Sequence, residues 1–426
     1  MARPRRRSGA RGWPGPLRPA GRFIADVGDH WSSERRALRA GGVALLLAAV
    51  ADLGAGLVLL SSEARLVEVP GLLLLIPAAI AMRGATFGAF GARLGTALAV
   101  GSYDSELRPG SWLARQVEAV AILTLVTSLE AALLADVVAG AFGQPTVPLA
   151  DLVVISVLGG LLASVALLAV TLVLARQSQR RDWSMDDVGA PAITATGDLL
   201  AIPALLLATA AAGLGAPTGV LAWAFVALTV AASGWGLLHP RPEIRRLVRE
   251  SMVVLTIAAL VSVLAGAVVE GRDDVFLAVP ALLLLLPPFI AMFGSLGGVL
   301  SSRLTSKLHL GLLEPTLRPQ REAVLDVSMT FLLSTGVYAF IGVATWGLTL
   351  LLDTPTPGLL PLVGVTLLGG LLGTALLSIV AYGAASATYR LGLDPDNHAI
   401  PVVTSTMDLL GVMCLVGAVA VIGLAT

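Results

Sequence analysis

The sequence predicts an all-α polytopic membrane protein of about 11 transmembrane helices, arranged as five, one and five in two parallel, pseudo-two-fold repeats. Three observations predict it. Hydrophobic residues make up 56% of the chain and charged residues 13%, with a mean hydropathy of +0.87; a soluble domain carries about 25% charge. Apolar runs long enough to span a bilayer, about 20 residues each, recur along the chain. Segments bearing Pro, Gly, Thr and Asp also recur at a single offset of 210 residues. The one cysteine, Cys414, excludes an intramolecular disulfide and a cysteine metal cluster. A formal net charge of zero predicts no acidic partner.

The chain opens with "MARPRRRSGARGWPGPLRPAGR". No apolar signal-peptide core follows it, so residues 1–40 are expected to be a basic, disordered cytoplasmic tail that fixes orientation. The expected spans lie near 41–61, 70–82 with an extension, 116–142, 150–175, 190–212, 217–238, 250–269, 277–294, 322–352, 358–384 and 399–424. With the N-terminus in the cytoplasm, 26 of the 28 Lys and Arg residues fall in cytoplasmic segments, and only Arg65 and Arg272 fall outside. An omitted or added helix would invert that positive-inside bias downstream.

The repeat is read directly. "VPGLLLLIPAAIAMRGATFGAFGARLGTALAVG" (69–101) faces "VPALLLLLPPFIAMFGSLGGVLSSRLTSKLHLG" (279–311) with 16 of 33 positions identical. "PAITATGDLLA" (191–201) faces "PVVTSTMDLLG" (401–411) with 6 of 11 identical. Five spans per repeat would leave two directly joined repeats inverted. The unmatched span near 217–238 restores the starting side, so the repeats are parallel, with a pseudo-two-fold axis along the membrane normal. The expected divisions are the tail 1–40, a first repeat 41–212, a linker helix region 213–244 and a second repeat 245–426.

Asp198 and Asp408 occupy the same place in the fifth span of each repeat. A charge at the bilayer centre costs roughly 2.5–3.5 kcal/mol on insertion scales, and intramembrane acids mark ion or proton paths. Thr194 and Thr404 lie four residues earlier on the same helical face. Two carboxylates facing one axis repel unless protonated or given a cation. Such donors suit Mg²⁺, which keeps most of its water. Acidic turns precede both spans: Asp186 and Asp187 in the first repeat, and Asp394, Asp396 and Asn397 in the second. They are either ordinary turn formers or a cation-attracting rim.

The second spans carry Pro70 and Pro77, and Pro280 and Pro287, followed by glycines. This pattern suits either irregular backbone lining a pore or close packing by small residues. Asp52, Glu130 and Asp136 face Ser262, Phe340 and Trp346 at the offset of 210, so they are either coupling sites for H⁺ or Na⁺ or locally paired groups. The four histidines have no zinc-like spacing, and neither a catalytic triad nor a phosphate loop is apparent.

"PALLLLLPPFIAMFGSLGGVLSSRLTSKLHLG" and "DPDNHAIPVVTSTMDLLG" resemble the second-span and fifth-span signatures of MgtE-type magnesium transporters and their solute carrier family 41 relatives. The resemblance covers roughly residues 35–212 and 245–424, and implies two fused copies of a five-helix domain that elsewhere works as a homodimer. It implies a pore lined by the second and fifth spans, with the fifth-span aspartates, here Asp198 and Asp408, binding the permeating ion. Two departures stand out. Gly84-Ala85 and Gly294-Ser295 replace the family's common Gly-Asn, and no cytoplasmic Mg²⁺-sensing domain is expected in the first 40 residues.

The expectation is therefore a non-enzymatic transporter in the plasma membrane, with its N-terminus cytoplasmic and its C-terminus outside. Its transported ion is Mg²⁺, with Mn²⁺ or another divalent cation as the alternative. The expected metal residues are Asp198, Asp408, Thr194, Thr404, Asp396, Asn397 and Asp187. The partners are the divalent cation and the bilayer, with no nucleic acid. One chain supplies both halves of the pore, and regulation falls to a separate cytoplasmic protein. Coupled exchange with Na⁺ or H⁺ is the alternative mechanism. An intramembrane aspartyl protease and a non-transporting scaffold are the rival classes; the protease lacks a Gly-x-Gly-Asp motif in this chain.

Overall fold

The computed structural model describes residues 20–100, 103, 108, 110–181, 190–316, 318–391 and 395–424. Among these residues the chain is helical and has no strand. It runs α1 (Ala20–Ser33), α2 (Arg35–Leu60), α3 (Glu63–Glu68), α4 (Leu72–Val100), α5 (Trp112–Phe142), α6 (Leu149–Arg181) and α7 (Ala190–Ala208). After α8 (Ala216–Leu237) come α9 (Pro242–Glu270), α10 (Asp273–Ala278), α11 (Ala281–His309), α12 (Arg321–Leu351), α13 (Leu359–Arg390) and α14 (Pro395–Ile422). Eleven of these helices are long and apolar enough to cross a membrane, and the protein is a multi-pass integral membrane protein.

Local chemistry sets many of the ends. The Ser111 side chain accepts the Ala114 N–H and caps α5, while Gly143 closes that helix in the left-handed conformation at φ 66°. Proline stands in the first turn of both α8 and α9, where its missing N–H leaves no intrahelical bond unmade.

The offset of 210 reappears in the helices. α3 and α10 match end to end, and α4 and α11 have the same length with a shift of one residue. α8 stands apart: it packs on α5, α6 and α9 and turns Val220 and Trp223 outward, 72% and 75% exposed. Such apolar outer surface suits lipid.

The halves interlock through crossed contacts. α2 packs on α11 of the second half, and α9 packs on α4 of the first. Small residues make this possible. A methyl group added at Gly56 would lie 2.0 Å from the Leu284 carbonyl oxygen, and one at Gly266 would lie 2.4 Å from that of Leu74. Both pairs are related by 210 residues, as a two-fold arrangement requires. Glu270, at the end of α9, also accepts the Gly71 N–H at 2.8 Å.

Three local expectations change. The stretch expected to be irregular up to residue 40 carries α1 and the start of α2. α1 is held by contacts at helical spacing: Asp26 pairs with Arg321 at 2.7 Å, and Trp31 Nε1 donates to Ser328 Oγ at 3.1 Å. In the second spans, Pro77, Pro287 and Pro288 sit inside continuous helices. The backbone there is regular, and the small-residue packing reading applies. α4 also runs well past residue 82, so Arg83, counted with the cytoplasmic segments, lies within the bundle at 2% exposure.

Candidate functional site

Six helices meet around the matched aspartates, three from each half. In the first half α7 packs on α2 and α4; in the second, α14 packs on α9 and α11. α4 meets α7 beside Gly84, where a side chain would begin 3.8 Å from the Thr194 methyl, an ordinary van der Waals contact. Its counterpart at Gly294 would begin 3.9 Å from the Thr404 methyl. Glycine on the second span and threonine on the fifth thus stand at the same clearance in both halves.

Asp198 is buried and Asp408 half-buried, and the two carboxyl groups are near enough to act on each other electrostatically. Each also meets the first membrane helix of its own half. Ser262 Oγ of α9 donates to Asp408 Oδ2 at 2.8 Å. Ser262 is the counterpart of Asp52, and Asp52 of α2 meets Asp198 carboxyl to carboxyl. The two halves therefore build the same contact with different chemistry: acid against acid in one, hydroxyl against acid in the other.

Thr194 and Thr404 are half-buried one turn from the aspartates on the same helices. α14 begins at Pro395, earlier than the expected span start near residue 399, which places Asp396 and Asn397 in its first turn. At 1.5 Å per residue that turn lies roughly 15–20 Å along the helix from Asp408. Asp187, with Asp186, lies outside the described residues, and so does Asp394.

Of the three acids without a matched partner, only Asp52 joins the aspartates. Glu130 of α5 accepts from Thr256 Oγ1 of α9 at 2.9 and 3.0 Å, and Asp136 lies further along α5. The signal for Asp52 was present in the sequence: it is displaced from Ser262 by the same 210 residues that separate Asp198 from Asp408. The helix contact that gives the match its meaning is long-range.

Arg83 is the second unexpected polar group. Its Nη2 donates to Ser128 Oγ at 2.7 Å and its Nη1 to Ser164 Oγ at 3.2 Å. Gly160 leaves the space, since a methyl there would lie 2.6 Å from Arg83 Nη2. In the second half Phe293, Tyr338 and Gly370 stand at the matched positions. The two rings lie 5.3 Å apart, with Tyr338 packed against Gly370.

Among the described residues no three His, Cys, Asp or Glu side chains stand close enough to form a compact metal cage. Mg²⁺ does not require such a cage, since it keeps several waters and binds through one or two carboxylates.

Residues 76–208 and 286–418 each match the family model MgtE, described as a divalent cation transporter. Comparisons with curated proteins and with solved structures give no match.

Proposed function

Because the chain belongs to the MgtE family of divalent cation transporters, we propose that it carries Mg²⁺ through one path between its two halves, with Asp198 and Asp408 as the ion-binding carboxylates. The observation that carries this reading is that the two acids stand at matched places on α7 and α14, each met by the first membrane helix of its own half. Two acids so placed in an apolar bundle repel each other, and a divalent cation between them removes the repulsion. A pair of carboxylates suits Mg²⁺, which dehydrates reluctantly and binds through one or two carboxylates plus water. Thr194 and Thr404 add hydroxyl groups one turn away. Asp396, Asn397 and Asp187 belong to a rim that gathers cations at the path's cytoplasmic mouth. Mn²⁺ fits the same oxygen donors.

On this reading the halves are residues 41–212 and 245–426, joined through 213–244, and one chain makes a complete path. The protein sits in the plasma membrane with its N-terminus cytoplasmic and its C-terminus outside, as its basic residues favour. A separate cytoplasmic protein supplies regulation. The test is Mg²⁺ uptake into liposomes. Asp198→Asn and Asp408→Asn are each expected to lower uptake by at least roughly tenfold, the scale on which metal sites respond to lost ligand-shell groups, while the purified variants keep wild-type elution and melting profiles. Wild-type uptake by both variants would overturn the assignment.

A further inference from the structure

The pairing of Asp52 with Asp198 has no equivalent in the second half, where Ser262 takes its place. Asp52 is 1% exposed, and its Oδ1 has no hydrogen-bond partner. An ionised carboxylate only accepts hydrogen bonds, and a buried acceptor left without a donor is costly. Among the described residues the elements around Asp52 supply no neutralising cation. From α7 it faces Asp198, whose own further charged neighbour is Asp408 of α14. The charges of α11 and α12 gather elsewhere: Arg303 and Lys307 pair with Asp326, with Glu34 of the α1–α2 junction and His30 of α1 beside them. Arg83 of α4 is engaged by Ser128 and Ser164.

We propose that Asp52 is a third carboxylate of the cation path, present in the first half alone, which binds the hydrated ion by accepting hydrogen bonds from its water shell. The inference rests on the assignment of Asp198 and Asp408 as the ion-binding pair. The water of a divalent cation supplies the donors that Asp52 Oδ1 lacks. A hydrated ion also needs no compact cage of acids. Ser262 does the reverse: its hydroxyl donates to Asp408 Oδ2 and so occupies an oxygen that an ion's water would otherwise use. The path is therefore lopsided, with two acids on the first side against one acid and a hydroxyl on the second. An ion held between the halves sits nearer Asp198.

The experiment measures initial Mg²⁺ uptake into liposomes against Mg²⁺ concentration, with Mn²⁺ binding in detergent followed by electron paramagnetic resonance. Asp52→Ser copies the second half; its KM for Mg²⁺ and its Mn²⁺ dissociation constant are expected to rise about tenfold or more, as for lost outer-shell partners of a metal. The double variant Asp52→Ser, Ser262→Asp moves the acid to the other half and is expected to recover most of that loss, which a purely structural role for Asp52 would not allow. If Asp52→Ser does not fold, Asp52→Asn, which keeps the shape, takes its place in both measurements. Unchanged KM and Mn²⁺ affinity in the folded single variant, with Asp198→Asn and Asp408→Asn inactive, would overturn the role of Asp52 alone. Wild-type uptake by those two variants would instead remove the underlying pair.

Discussion

A methyl group at position 56 would have to occupy space 2.0 Å from the Leu284 carbonyl oxygen. Backbone cannot yield as a side-chain tip can, so Gly56→Ala is expected to destabilise the fold by at least about 1–3 kcal/mol, the usual scale of overpacking. Gly140→Ala has open space around its new methyl and is expected to leave the midpoint near wild type; thermal unfolding in detergent compares the two. Asp326 is the other residue on which much depends. It is fully buried and pairs with Arg303 at 2.9 Å and Lys307 at 2.5 Å. Asp326→Ala leaves Lys307 without its acid and Arg303 with only Glu34 at 3.4 Å, and is expected to cost about 3–5 kcal/mol, read by the same melting assay. In the first half the matched contact is neutral on one side, Arg93 Nε donating to Gln116 Oε1 at 2.8 Å. The halves thus share a plan and differ in charge at several of its contacts.

The helices that cross the membrane were legible in the sequence because each is an apolar run of sufficient length, and length is what a bilayer demands of a helix. Their ends were less so. α4 and α11 outlast their most apolar stretches, since glycine and serine continue a helix that is packed on both sides, and this is why Arg83 falls among the cytoplasmic segments on sequence alone. α3 and α10, six residues each, are too short to leave a periodic signal. α8 was visible as an unpaired apolar run, and its role was fixed by counting. If it restores the parallel order, cysteines placed at Ser62 and Arg272 in a Cys414→Ser background should react with an impermeant maleimide from one side of sealed vesicles. Cysteines at Arg108 and Arg318 should react only from the other side. Labelling of residues 62 and 272 from opposite sides would show antiparallel halves.

For the molecule as a whole, the duplicated aspartates were readable as a pair because two matched acids in apolar helices are rare and costly. Their surroundings were not readable, because Asp52 and Ser262 reach them across 146 residues, a separation that no local pattern encodes. The fusion of both halves in one chain carries its own expectation: liposomes reconstituted at less than one chain each should retain uptake in proportion to the protein they hold, whereas an obligate dimer would lose it steeply on dilution. The crossed contacts of α2 with α11 and of α9 with α4 bear on the order of synthesis. While the first half is emerging from the ribosome, the surface of α4 that will receive α9, and the surface of α2 that will receive α11, have no partner yet made. Gly56 and the Leu74 backbone of α4 therefore gain their covering neighbours only once the second half has been made. The two repeats look like separable copies on paper, but their assembly is a single event.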